Sequence, residues 1–138
     1  MITGLTLSVE NGPQAGLHFH ICIPGVCTVG RASDCDLAVI GPEPMGVSRY
    51  QCRIDVTANR AVIFDLGSRN GTNLNGKSIG KRFVQPDSHR DWWTCDGYVL
   101  ADGDVIDIAG LKITVGMQHA ALEVTEVEAT SQAGVMSC

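Results

Sequence analysis

Along most of this chain hydrophobic and polar positions alternate with a period of two. Leu5, Leu7 and Val9 alternate with Thr6 and Ser8, and the run stops at Asn11-Gly12-Pro13. Leu17, Phe19, Ile21 and Ile23 alternate with His18, His20 and Cys22 up to Pro24-Gly25. Val26 to Val29 runs into Gly30-Arg31, and Asp36 to Ile40 ends at Gly41-Pro42-Glu43-Pro44, where the prolines forbid a helix. Tyr50, Cys52, Ile54 and Val56 alternate with Gln51, Arg53, Asp55 and Thr57, and Asn59-Arg60 turns the chain into Ala61–Asp65. Further short runs cover Lys77 to Ile79, Tyr98 to Leu100, Asp104 to Ile108 and Leu111 to Val115, with turns at Asp102-Gly103 and Ala109-Gly110. No clean helical period is sustained before residue 117. About ten short strands separated by frequent turns predict an antiparallel sandwich or barrel.

The densest punctuation lies between Asp65 and Gly76, DLGSRNGTNLNG. It follows an apolar strand, and its Gly and Asn residues accept positive φ, so neither a ladder nor a helix continues there. Asn70-Gly71 and Asn75-Gly76 both read as two-residue hairpin turns. Residues 81–97 form an irregular, charged insert that carries Phe83, Trp92 and Trp93, with the tryptophans expected to pin it onto the sandwich. Residues 117–138 are acidic and lack aromatics, so they read as a tail or linker, with a short helix over 118–128 as the alternative. Cys138, at the end of that tail, reads as a free thiol.

Composition narrows the function. The 138 residues favour one domain with a real core, and no 18-residue apolar run predicts a membrane span. The N-terminus lacks the basic region of a signal peptide, so a cytoplasmic protein is expected. The net charge of −5 argues against nucleic acid as a partner. Charge is nevertheless uneven: residues 31–90 hold nine of the ten Lys/Arg, and residues 91–138 hold eight acids against Lys112. Six cysteines show no C-x-x-C spacing and the four histidines are not set at zinc-ligand spacing from them. Reduced, mostly buried thiols and no metal or other cofactor are expected, although His18 and His20 share a strand face. Asp102 and Asp104 flank a glycine turn and read as hairpin residues rather than an acid/base pair.

Three turns remain: Gly30-Arg31, Gly46-Val47-Ser48-Arg49, and Gly67-Ser68-Arg69-Asn70-Gly71-Thr72. Gathered at one end of a sandwich, they would offer guanidiniums, hydroxyls, amides and backbone N–H groups, with no base and no activated nucleophile. That inventory suits a phosphate, which carries about −1.5 to −2 charge at pH 7 and three acceptor oxygens. Arg meets it bidentately, while Ser and backbone donors take the remaining oxygens. The bland alternatives are a surface salt bridge from Arg31 to Asp34 or Asp36, a turn cap at Ser48 and a left-handed turn residue at Asn70. Lys77, Lys81 and Arg82 read as a solvated edge.

The order VGRASDCDLAV, VSRYQCRI, DLGSRNGTNLNG and LADGDVIDIAG, over roughly residues 3–116, resembles a forkhead-associated (FHA) domain. The resemblance implies an all-β sandwich of about eleven mostly antiparallel strands, here residues 1–116, whose loops at one end bind phosphothreonine peptides. It implies that Arg31 and Ser48 bind the phosphate, with a second contact from Arg49. Arg69 and Asn70 would hold the peptide main chain, and Gly30, Gly67 and Gly71 would shape the loops. The family's usual histidine is replaced by Gln51, which can donate and accept in a similar way and would still buttress the loop. NGKSIGKR followed by the insert resembles FHA modules attached to bacterial signalling proteins. The implied partner is a phosphothreonine-containing protein, a Ser/Thr kinase substrate or the kinase itself.

Threonine would be preferred over serine by burial of its methyl group, worth about 0.8 kcal/mol. Gly46 offers no long cation for a residue downstream of the phosphothreonine, so a weak or apolar preference is expected there. A phosphate-independent FHA-like scaffold is the alternative function, and a small metal or thiol enzyme using the Cys/His set is the enzymatic one.

Overall fold

The computed structural model describes residues 1–41, 46–84, 91–92 and 96–120, and of residues 83, 84, 91 and 92 the backbone alone. Every regular element among them is a strand. In chain order these are β1 (Ile2–Val9), β2 (His18–Ile21), β3 (Gly25–Gly30), β4 (Leu37–Ala38), β5 (Cys52–Val56), β6 (Ala61–Asp65) and β7 (Thr72–Leu74). They continue with β8 (Lys77–Gly80), β9 (Phe83–Val84), β10 (Asp91–Trp92), β11 (Tyr98–Val99), β12 (Val105–Ile108) and β13 (Leu111–His119). One sheet has six strands in the order β2-β1-β13-β12-β7-β8, and the other has five in the order β11-β6-β5-β3-β4. Those six and five strands supply the eleven expected of the sandwich. The pairings are antiparallel except β3 with β4.

The period-two pattern works as expected because β1, β5, β6, β12 and β13 each bury one face. Leu5, Leu7 and Val9 lie opposite Met117, Val115 and Ile113 on β13, and all six are buried. Cys27, Val29, Cys52, Ile54, Val56, Ala61 and Ile63 complete the same core from the five-stranded sheet. A one-residue slip would move each of these side chains into water, at a loss of about 1.5–3 kcal/mol for each large one, so the register is strongly specified.

Several boundaries differ from the sequence pattern. β5 begins at Cys52: Tyr50 is exposed, and Gln51 is buried with its N–H still donating to Val29 O on β3 while its side-chain amide reaches the neighbouring loops. The insert, expected to be irregular, holds a two-stranded ribbon of β9 and β10. Asn75-Gly76 is the tight hairpin between β7 and β8, with φ of 52° and 84°. Asn70-Gly71 is not a hairpin: it carries the chain from β6 in one sheet to β7 in the other, and only Gly71 takes positive φ. β13 runs through Gln118 and His119 as strand, because β1 continues to pair with it there. Residues 121–138 of the expected tail, Cys138 included, lie outside the described residues, as do Trp93 and the side chain of Trp92.

Cys27, Cys35 and Cys52 are free and buried, as expected, whereas Cys22 is disulfide-bonded. Among the described residues no helix is long and apolar enough to cross a membrane.

Candidate functional site

The strands that end at one side of the sandwich deliver the three turns singled out in the sequence to a single cleft of about 450 Å³. Arg31, Gly46, Val47, Ser48, Arg49, Arg69 and Asn70 line it, joined by Tyr50, Leu66 and Arg82.

The turn after β3 is tied to the turn before β5 by backbone bonds, Arg31 N to Ser48 O at 3.0 Å and Ala32 N to Arg49 O at 3.0 Å. Glycine is required at position 30 by this close approach, since a Cβ there would collide with the Arg49 carbonyl and press on Cys35 Sγ. The Arg31 side chain donates from Nε to Val47 O, which fixes the plane of its guanidinium. Asp34 accepts from the Tyr50 hydroxyl at 3.0 Å and Asp36 accepts from Thr28, so both carboxylates considered as Arg31 partners are engaged elsewhere.

Ser48 sits at the junction of all three turns. Its N–H donates to Gln51 Oε1 at 2.9 Å, and its Oγ accepts from Arg69 N at 2.9 Å. A hydroxyl that accepts on one side still has its proton to donate, and that proton is what an anion needs. The Asn70 amide donates to Gly46 O at 2.8 Å, which leaves its Oδ1 as an acceptor on the cleft wall. Asn70 is not the left-handed residue of its turn, since it is Gly71 that takes positive φ there.

Two buried polar residues hold these turns from beneath. Gln51, 1% exposed, donates from Nε2 to Gly71 O and to Thr72 Oγ1, both at 2.9 Å, so one amide bridges the Ser48 turn and the Gly71 turn. Asp65, 2% exposed at the end of β6, accepts from Gly67 N, Ser68 N, Ser68 Oγ and Thr72 Oγ1 at 2.6–3.0 Å. A carboxylate is acceptor-only, which is why a loop presenting four donors closes around it. Ser68 Oγ in turn accepts from Gly71 N at 3.0 Å. Gly67 takes φ of 76° and Gly71 of 92°, the left-handed values that this tight wrap imposes.

Arg82 is exposed, as are Lys77 and Lys81, in keeping with the solvated edge that the sequence predicts. It also lines the cleft, with its N donating to Ser68 O at 2.7 Å and its Nε to Gly67 O at 3.0 Å, a place the sequence does not predict. Asp65 and Tyr50 likewise carry no site role in the sequence reading, and Ser68 only a place in its turn. Asp65 had a legible signal, an acid closing an apolar strand directly before a Gly-Ser turn. Arg82 had none, because its place depends on where β8 delivers the chain.

The remaining candidates belong to other tasks. Asp104 accepts from Asn75 Nδ2 and Ala101 N, and Asp102 from Met117 N, so both brace turns. His18 and His20 are bonded through Nδ1 to Ser8 and Thr6 on the neighbouring strand. Among the described residues no cluster of three or more His, Cys, Asp or Glu is placed to hold a metal. Burial pushes the Cys27 thiol up to about 12 and raises those of Cys52 and Cys35 as well, so all three are neutral and poorly suited to nucleophilic work.

Residues 27–92 match the FHA domain family. The human protein "Angiogenic factor with G patch and FHA domains 1" is 37% identical over 97 residues, which are 69% of this chain and 12% of that protein. The chain thus spans about an eighth of the length of that relative. A solved structure from a study of phosphothreonine-dependent FHA domain interactions is similar over 86% of this chain and 100% of that one, with a TM-score of 0.65 and 27% identity. The FhaA FHA domain, solved in complex with the intracellular domain of another protein, covers 80% of this chain at a TM-score of 0.58 and 28% identity, over 98% of its own length.

Proposed function

The chain carries an FHA domain, and from that premise we propose that it is a phosphothreonine-dependent interaction module without catalytic activity. The observation that carries the proposal is Ser48. Its N–H and Oγ are both held in place by neighbouring turns, and it shares one cleft with Arg31, Arg49, Arg69 and Asn70. In this reading the Ser48 hydroxyl donates to one phosphate oxygen and the Arg31 guanidinium meets another, with Arg49 adding charge. Asn70 Oδ1 accepts a peptide N–H, and Arg69 holds the main chain beside it. Gln51 keeps the two loops at a fixed separation, the task the family gives to histidine. The described residues of the cleft supply donors and charge, with no neutral base or ionised nucleophile among them, which supports binding over turnover.

The partner in this reading is a phosphothreonine-containing protein, either the substrate of a Ser/Thr kinase or the kinase itself. We place the module in the cytoplasm, where the ATP that such kinases consume is available. The hairpin and insert support a bacterial signalling context, whereas the matched curated relatives come from human and mouse. The binding reading does not depend on the source.

The test is binding to a degenerate phosphothreonine peptide library beside its phosphoserine and unphosphorylated versions, for wild type and Arg31→Ala. Phosphothreonine-selective binding that Arg31→Ala abolishes supports the proposal. Binding that ignores the phosphate refutes it and leaves an FHA-like scaffold.

A further inference from the structure

β2 carries two histidines that neither the core nor the cleft uses. His18 and His20 alternate with Phe19 and Ile21 along it, and both are exposed. A strand's side chains alternate between faces, so the two imidazoles stand on the same face of the sheet. β2 is also the outermost strand of the six-stranded sheet, which leaves the pair open to solvent at an edge. The described residues that line the cleft belong to neither β1 nor β2, so this pair is separate from the phosphothreonine site.

The register with β1 orients both rings. His20 lies opposite Thr6 and His18 opposite Ser8. Thr6 Oγ1 is 2.9 Å from His20 Nδ1, and Ser8 Oγ is 2.8 Å from His18 Nδ1. Each ring is therefore tethered by the same nitrogen to the residue directly across from it, and the two lean in the same sense. A hydroxyl accepts as readily as it donates, so both contacts suit the tautomer in which Nδ1 carries the proton and Nε2 keeps its lone pair. Metal-ligating imidazoles are held in this way, with the second ring nitrogen donating to an outer partner. Strand geometry sets the Cβ atoms of residues two apart about 7 Å from each other, and parallel rings keep their Nε2 atoms at about that spacing. A tetrahedral cation bonded at about 2.0–2.1 Å needs them about 3.3 Å apart, so each ring tip leans in by about 2 Å.

We propose that His18 and His20 chelate a divalent transition-metal cation of the Zn²⁺ or Ni²⁺ kind through their Nε2 atoms, with Thr6 and Ser8 orienting the rings. Imidazole suits these cations, whereas Mg²⁺ and Ca²⁺ take oxygen ligands. Among the described residues no group of three His, Cys, Asp or Glu forms here, so water fills the remaining coordination positions. Cys22, two residues beyond His20, is held in a disulfide and supplies no thiolate. Cys27, Cys35 and Cys52 are buried in the sandwich and do not reach an exposed cation.

The test is calorimetric titration of the full chain with Zn²⁺, on protein without an affinity tag and in buffer without reductant or chelator. A pH of about 7.5 keeps histidines of ordinary pKa, about 6.5, neutral. His18→Asn and His20→Asn should each lower the affinity tenfold or more, and the double variant little further, because one imidazole alone cannot chelate. Thr6→Val and Ser8→Ala should each weaken binding by about tenfold, the loss expected when a ligand's outer partner is removed. Nitrogen-15 spectra of the imidazoles should show Zn²⁺ shifting Nε2 of two histidines while Nδ1 keeps its proton, and both signals should vanish in the double variant. Wild-type protein that does not bind Zn²⁺, binding that survives the double variant, or equal binding of Mg²⁺ overturns the proposal. Two cations bound independently, each lost with one histidine, also overturns it. Unchanged affinity in both Thr6→Val and Ser8→Ala refutes the orienting role of the hydroxyls.

Discussion

Replacing Gln51 with Leu keeps the side chain's approximate volume and deletes its amide, which isolates the contribution of three hydrogen bonds. Gly71 O and Thr72 Oγ1 would lose a donor, and Ser48 N–H would lose its acceptor. The losses are not equal. Gly71 is buried, so its carbonyl meets the full penalty of an orphaned acceptor, about 1–3 kcal/mol. Thr72 Oγ1 keeps its bond to Asp65, and Ser48 is half-buried and open to water, so each of these sits at or below the low end of that range. The sum is about 2–4 kcal/mol, a large share of a typical domain stability of about 5–15 kcal/mol. For a chain of this length it corresponds to a fall in Tm of about 6–15 °C. Gln51→His should cost about 1 kcal/mol or less, because one ring nitrogen can accept from Ser48 and the other donate to Gly71. Urea unfolding followed by circular dichroism measures both variants. A Gln51→Leu protein within 0.5 kcal/mol of wild type, or equal losses for Leu and His, would refute the claim that this amide clamps the two loops.

Three further outcomes are expected. The raised thiol pKa values of Cys27 and Cys52 mean that these groups stay protonated in the folded chain after they would ionise in the unfolded one. Their stabilising contribution is therefore complete below about pH 8.5 and falls above it, at up to about 1.4 kcal/mol per thiol per pH unit; unfolding midpoints that hold level from pH 8 to 10 would contradict this, as would native-state alkylation of either residue at pH 8. Gly30→Ala should destabilise the domain by more than about 2 kcal/mol through its clash with the Arg49 carbonyl. Gly76→Ala, strained only in φ and open in space, should cost about 1–2 kcal/mol, and a reversed order in denaturant melts would fault the close-approach argument. Asp107 is held below the usual carboxylate range first by its hydrogen bond from Lys112 at 2.7 Å. That pair therefore stabilises above the unfolded pKa of about 3.9 and loses its effect as pH falls through the lower folded value; Lys112→Met should flatten acid unfolding slightly, by less than about 1 kcal/mol, and a larger effect would mean that Lys112 does more than pair.

Period-two alternation determined most of the sheet, because a strand with one buried face has only two ways to point its side chains and only one of them hides Leu5, Leu7 and Val9. Asn75-Gly76 was equally legible, since a two-residue hairpin demands positive φ at both positions and few other residues accept it. The three site turns could be read for the same local reason: Gly, Ser, Arg and Asn are placed by backbone chemistry within a few residues of a strand end. Asn70-Gly71 carries the same dipeptide as the hairpin, but whether the flanking strands pair or part is decided by which sheet each joins, and no local signal encodes that. Gln51 reads as a loop buttress only through the family resemblance, and Asp65 only as an acid closing a strand, because the donors and acceptors that an amide or carboxylate clamps come from distant turns and meet it only on folding. Arg82 is the sharpest case. Nothing separates it from Lys81 in the sequence, and both are exposed, yet Arg82 lines the cleft because β8 returns the chain beside the Gly67–Ser68 backbone and offers it two carbonyls there. Local propensity chose the strands and turns; the pairing of sheets decided which charges share a cleft.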